Sequence, residues 1–174
     1  MTTITKINDN LSLIQNENGL TFGTDAYLLS AYTVGWKNKI GADLGSGTGV
    51  IPLLLCSREK AAKIYAVEVQ ESFCDLIKQN AELNGFSDRI IPVNKNVADL
   101  KAADLGQELD FVVSNPPYMK VNSGKRNEHD EKFIARTSTI EGSLSTVAAT
   151  KVIILGSKLF SRIAHMRSTS LSGR

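Results

Sequence analysis

Short apolar runs alternate with stretches of helical period through most of this chain, and few architectures accommodate that alternation. Lys39 to Leu44 reads as a strand entering a glycine-rich turn. Val50 to Glu59 follows as a helix; Pro52 is tolerated because it lies in the first turn, where an N–H has no helical partner. Lys63 to Val69 is a strand, and Glu71 to Asn84 a helix with Phe73, Leu76, Ile77, Ala81 and Leu83 inward and Gly85 as its stop. Ile90 to Val93 is a third strand, weakened by Pro92, and Leu109 to Ser114 a fourth. Thr146 to Leu155 reads as a helix and Lys158 to Ile163 as a fifth strand. The expected fold is α/β, a Rossmann-like doubly wound parallel sheet, with ligands beyond the carboxyl ends of its strands.

Ahead of this core, residues 1–20 are polar with scattered apolar positions, and Asn18-Gly19 signals the turn of a short hairpin. Asp25 to Val34 reads as a helix on which Ala26, Leu29, Ala31 and Tyr32 can share a face, with Gly35 at its end. The length of 174 residues suits one domain with a substantial core. A net charge of +2 does not by itself argue for nucleic acid. After Glu141, however, every charged residue is basic: Lys151, Lys158, Arg162, Arg167 and Arg174. That end is either a solvated basic tail or one that faces RNA. Cys56 and Cys74 fall in helices without metal-ligand spacing, which suits buried thiols in a reducing compartment and no bound metal. No run approaches the roughly 18 apolar residues of a membrane span, and the N-terminus lacks a signal-peptide core. The expectation is a cytoplasmic protein with no membrane partner.

The turn itself is Asp43-Leu44-Gly45-Ser46-Gly47-Thr48-Gly49-Val50. Its glycines permit a sharp bend and a close approach to a ligand, and the helix behind it presents free N–H groups. A dinucleotide fingerprint would need its third glycine at Val50, and no Gly-Lys-Ser/Thr follows, so this is not a P-loop. Asp43, two residues ahead of the first glycine, sits poorly beside a pyrophosphate and suits a ligand bearing an ammonium group. Glu68 ends the next strand, about 20 residues on, where an acid accepts ribose hydroxyls. S-adenosylmethionine has the ammonium and the ribose and no phosphate; a structural turn or another nucleotide is the alternative.

Ser114-Asn115-Pro116-Pro117-Tyr118 closes the strand from Leu109. The two prolines fix two φ angles, and Pro116 biases Asn115 away from the helical region. The Asn115 side-chain oxygen and the Pro116 carbonyl can then accept both hydrogens of one exocyclic NH₂ group. Out-of-plane acceptors favour the pyramidal nitrogen of a transition state, so its lone pair meets the methyl donor in line. Tyr118 would cover the flat face of the acceptor by stacking. The alternative is a loop that merely contains turn residues.

These residues resemble the class I methyltransferases of the Asn-Pro-Pro-Tyr type. Leu13-Ile14-Gln15 with Gly19 to Leu29, Asp43 to Leu55, Val67 to Gln70 and Ser114 to Tyr118 resemble, more narrowly, the tRNA1(Val) adenine-37 N6-methyltransferase family. The resemblance runs from about residue 10 to about residue 160. It implies residues 1–34 as a hairpin and helix that close over the cofactor, 35–163 as the Rossmann-like core and 164–174 as an irregular basic tail. It implies that Phe22, Gly23, Thr24 and Asp25 cover S-adenosylmethionine and that Asp43, Gly45, Gly47, Gly49 and Glu68 hold it. Asn115, Pro116, Pro117 and Tyr118 would hold the target adenine of a tRNA. The family's usual third-strand Asp, which contacts the cofactor's adenine amine, corresponds here to Asn96, whose amide oxygen can still accept that bond; Asp99 is a less favoured substitute. The family's C-terminal antiparallel strands are expected to be missing, because Ser161 to Arg174 carry little strand or helix periodicity. The fifth strand would then be an exposed edge, with reduced stability and activity as the expected consequence. Glutamine methylation in release factors, guanine N2-methylation of ribosomal RNA and an inactive cofactor-binding remnant are the competing readings.

Overall fold

A computed structural model describes residues 2–16, 23–33, 38–107, 109–115 and 149–154. In chain order they form β1 (Thr2–Asn8), β2 (Leu11–Asn16), α1 (Thr24–Tyr32), β3 (Ile40–Leu44), α2 (Val50–Ser57), β4 (Lys63–Glu68), α3 (Glu71–Leu83), β5 (Ile90–Asn94), a 3-10 turn (Val97–Asp99), α4 (Ala102–Leu105), β6 (Leu109–Ser114) and β7 (Ala149–Ile154). The last five strands make one parallel sheet in the order β5-β4-β3-β6-β7, and β1 and β2 form a separate antiparallel hairpin. The chain winds outward from β3 through β4 to β5, then returns to the other side of β3 as β6. This reversal between β3 and β6 is where a doubly wound sheet opens a ligand crevice.

The strand alternation sends side chains to two cores. One face packs Ile64, Ala66, Ile90, Phe111 and Val113 against α1, α2, α3 and Leu11 and Leu13 of the hairpin. The other packs Ala42, Leu44, Val67 and Val112 against Leu100 and Leu105, which follow β5. Every residue of α2 from Val50 to Cys56 is buried, so its near-continuous apolar sequence is that of an enclosed helix. Gly85 ends α3 with φ +72°; its N–H bonds Glu82 O and the Phe86 N–H bonds Ala81 O, the paired bonds of a Schellman stop.

Several expectations need correction. Within the segment read as a helix over Thr146–Leu155, residues Ala149–Ile154 form β7 instead, paired in parallel with β6. A short apolar run fits a helix or a buried strand equally, and the free edge of β6 decides between them. The expected strand at Lys158–Ile163 and the tail beyond it lie outside the described residues. The hairpin turns at Asp9-Asn10, where Asn8 Oδ1 accepts the Asn10 N–H at 2.9 Å; Asn18-Gly19 and Gly35 lie outside the described residues. On α1 the inward face is Ala26, Leu29 and Ser30, while Ala31 and Tyr32 are exposed. On α3 the exposed Leu83 is replaced at the interface by Asn80.

Asn80 and Asn84 dock the hairpin through peptide-like bonds. Asn80 Oδ1 accepts the Ile14 N–H at 2.6 Å and its Nδ2 donates to Ile14 O at 2.9 Å. Asn84 does the same to Ser12, at 2.9 and 2.8 Å. On the opposite side of the core, Phe111 of β6 lies across Gly41 of β3, where a Cβ would stand 2.3 Å from the ring. Phe111 is fully buried and has nowhere to move. Gly41→Ala should therefore lose about 1–3 kcal/mol of stability in urea unfolding, with part of the loss recovered by adding Phe111→Leu.

Candidate functional site

The glycine turn is fixed from both ends. Gly45, Gly47 and Gly49 take φ values of +75°, +54° and +82°, a left-handed series that side chains resist. Val67 O at the end of β4 accepts the N–H groups of Gly45 and Ser46 at 2.9 and 3.0 Å. Glu68 Oε2 accepts the Gly47 N–H at 3.0 Å while Oε1 accepts the Gln70 N–H at 3.0 Å. Asn80 Nδ2 donates to Thr48 O at 3.0 Å from beneath. The turn then hands the chain to α2, whose first N–H groups point out of the helix.

Asp43 is fully buried below this turn. Its Oδ2 accepts the Ser46 hydroxyl at 2.7 Å, but its Oδ1 has no hydrogen-bond partner. Burial pushes its carboxyl up to about 7; the Ser46 hydroxyl pulls against this, and the nearby Glu68 adds to it. Across the β3–β6 pairing, Ser114 Oγ donates to Leu44 O at 2.8 Å, tying the end of β6 to the start of the turn. The next residue, Asn115, is half-buried, and its Oδ1 is the second buried oxygen without a partner.

The expected site residues divide clearly. Asp43, Gly45, Gly47, Gly49 and Glu68 are brought together, with Asn115 directly after the end of the neighbouring strand β6. Gly23 caps α1, with Thr24 exposed and Asp25 in the first turn. Asn96 is exposed after β5, and its Oδ1 accepts the Ala98 N–H at 3.0 Å, as a cap of the 3-10 turn. Phe22, Pro116, Pro117 and Tyr118 lie outside the described residues. Ser46 and Ser114, which lie inside the two motifs, and Asn80, which lies in neither, complete the constellation through their bonds to Asp43, Leu44 and Thr48. Cys56 and Cys74 are buried free thiols. Among the described residues, no three His, Cys, Asp or Glu side chains cluster as metal ligands, and no helix is long and apolar enough to cross a membrane.

This fold is the Rossmann-like one of the class I methyltransferases. The chain belongs to the methyltransferase small domain family, whose model matches residues 16–161. It is 33% identical over 128 residues to a tRNA1(Val) (adenine(37)-N6)-methyltransferase of Flavobacterium psychrophilum, covering 73% of this chain and 53% of that one. It is 33% identical over 106 residues to a release factor glutamine methyltransferase of Aquifex aeolicus, covering 61% and 37%. The chain thus spans about half the length, or less, of these curated relatives. Among solved structures it resembles TrmN from Thermus thermophilus, with TM-score 0.59 and 19% identity over 79% of this chain and 40% of that one. It also resembles the M. jannaschii tRNA m1G37 methyltransferase, with TM-score 0.63 and 20% identity over 97% and 48%. The structural likenesses establish the fold.

The family implies S-adenosylmethionine as cofactor, and the residues present fit it. Nothing lies within 4 Å of where a Cβ would stand on Gly45 or Gly47, which leaves an open cradle. The orphaned Asp43 Oδ1 lacks the donor that a cationic group supplies. In the ligand-free protein, Asp43 holds its proton to about pH 7, against an ordinary value of 3.8. The folded state then binds more protons than the unfolded chain between roughly pH 4 and pH 7, so stability falls as pH rises through that window. Asp43→Asn should flatten this fall and exceed the wild type in stability at pH 8, as read by urea unfolding at pH 5 and pH 8.

Proposed function

We propose that this protein transfers a methyl group from S-adenosylmethionine to the exocyclic N6 of an adenine in tRNA. The cofactor, when bound, supplies an electrophilic methyl group on a sulfonium sulfur. In this reading Gly45 and Gly47 let the backbone approach it, Asp43 offers its unpartnered oxygen to the ammonium group, and Glu68 meets the ribose. Glu68 already accepts two backbone N–H bonds, and each carboxylate oxygen has a second lone pair for a hydroxyl. Phe22 to Asp25 would cover the cofactor. Asn96 keeps its remaining acceptor capacity for the cofactor's adenine.

The single observation that carries the reading is the orphaned Oδ1 of Asn115 beside the glycine turn. A buried acceptor without a donor is unfavourable by about 1–3 kcal/mol, and an incoming NH₂ group removes that penalty. Asn115 then orients the amine, and its oxygen, with the Pro116 carbonyl, favours the pyramidal geometry in which the nitrogen lone pair is free to attack. The attacking nitrogen would become cationic as the methyl–sulfur bond breaks, and would then lose its proton to water, so no strong base is required. The resemblance to tRNA adenine methyltransferases favours adenine as acceptor. Glutamine in a release factor is the second reading, favoured by the Aquifex relative.

Labelled S-adenosylmethionine with unmodified tRNA, ribosomal RNA and release factor separates these acceptors. N6-methyladenosine in tRNA is the expected product; label only on a protein glutamine overturns the tRNA reading. Asn115→Ala should lower turnover by 10²-fold or more, the scale of losing an oriented transition-state contact. Its cofactor Kd should stay within about twofold of wild type by calorimetry, as expected for a contact made in the transition state.

A further inference from the structure

Asn80 has a use that neither core packing nor helix formation explains. Asn is a poor helix former, yet this one is fully buried in the last turn of α3. Both Nδ2 hydrogens are engaged, one on Ile14 O of β2 and one on Thr48 O of the glycine turn. Its oxygen takes the Ile14 N–H. One amide thus joins the N-terminal hairpin to the peptide between Gly47 and Gly49. Asn84 makes only half of this connection: it bonds Ser12 and the backbone oxygen of Asn80, and it does not touch the turn.

We infer that Asn80 is a positioning residue that couples cofactor binding in the glycine turn to docking of the N-terminal hairpin. The inference rests on the assignment of that turn to the cofactor. A ligand that immobilises the turn fixes the Thr48 carbonyl, and the Thr48 carbonyl fixes one hydrogen of the Asn80 amide. The other two bonds of that amide hold Ile14, two residues before β2 ends at Asn16. From there the chain runs to α1, which begins at Thr24. The coupling is reciprocal: whatever cofactor binding adds to hairpin docking, docking returns to cofactor affinity.

Amide hydrogen exchange and calorimetry test this on the whole chain. In the wild type, saturating S-adenosylmethionine should slow exchange at the Ile14 amide about fivefold or more, the lower end of typical coupling. Equal exchange with and without cofactor overturns the inference and needs no variant. Asn80→Asp keeps the acceptor for the Ile14 N–H and removes both donors. It should weaken cofactor binding about tenfold and abolish the cofactor's effect on the Ile14 amide, a loss within the range of one coupling contact. Asn84→Ala should expose the Ser12 amide yet leave the cofactor Kd within about twofold, because it leaves the turn untouched. A purely structural Asn80 would lower the folded fraction without moving the Kd of the remainder. Equal weakening by the two variants, or an unmoved Kd in Asn80→Asp, likewise overturns it. Glu68→Ala reports separately on the site: wild-type affinity there refutes the cofactor assignment, whereas the coupling fails on the Ile14 exchange.

Discussion

The contact on which the site depends is the Phe111 ring laid across Gly41. It lets β3 and β6 pack without a side chain between ring and backbone, and only glycine leaves that space. Phe111 is enclosed on one face of the sheet while Val112 fills the other. The register that follows pairs Gly41 with Phe111 and Asp43 with Val113. Three residues of parallel pairing then carry the turn and Asn115 to the same end of the sheet. Ser114 finishes the alignment by bonding Leu44 O. The two motifs are some seventy positions apart in sequence and one strand apart in space.

Two neighbouring acids at this end are treated differently by the backbone. Glu68 receives two N–H bonds, from Gly47 and Gln70, and so serves as a clamp that shapes the turn. Asp43 receives one hydroxyl and keeps a bare oxygen in a buried place, with Glu68 adding repulsion. A fold selected for stability alone would not leave that oxygen unpaired, since a well-packed apolar residue avoids the desolvation cost. The raised carboxyl of Asp43 and the orphaned amide oxygen of Asn115 are two unmet demands on either side of one switch point. Both are acceptors. In the proposed reading, a cation meets one and an NH₂ group the other.

Sequence made the sheet legible because strands β3, β4 and β6 are apolar runs bounded by turn residues, and their ends carry the motifs. The glycine spacing excluded a dinucleotide or P-loop turn, and Asp43 and Glu68 were found from their distance to it. What escaped depends on distant partners. The segment over Thr146–Leu155 has apolar residues at spacings that satisfy a helix or a strand, and only pairing to β6 selects β7. Asn80 reads as an unremarkable polar residue until a strand 66 positions earlier is laid against it. The exposed placement of Asn96 and its bond to Ala98 follow from the 3-10 turn after β5, which has no apolar period to announce it.

The docking of β2 on α3 shows why the missed residues had to be asparagines four apart. A helix advances about 1.5 Å per residue, so positions 80 and 84 lie about 6 Å apart along its axis. A strand advances about 3.4 Å per residue, so Ile14 and Ser12 present like-facing peptides about 6.8 Å apart. The two spacings nearly coincide, and an Asn amide offers the same acceptor and donor as a peptide. The pair therefore continues the hairpin ladder with side chains and covers an edge that would otherwise display free N–H and C=O groups. Glutamine would overreach by one methylene, and Asp would offer two acceptors to a carbonyl. Burying Asn80 completely is tolerable only because all three of its bonds are made. Since one of them ends on the glycine turn, the edge that seals the hairpin and that turn share a single amide.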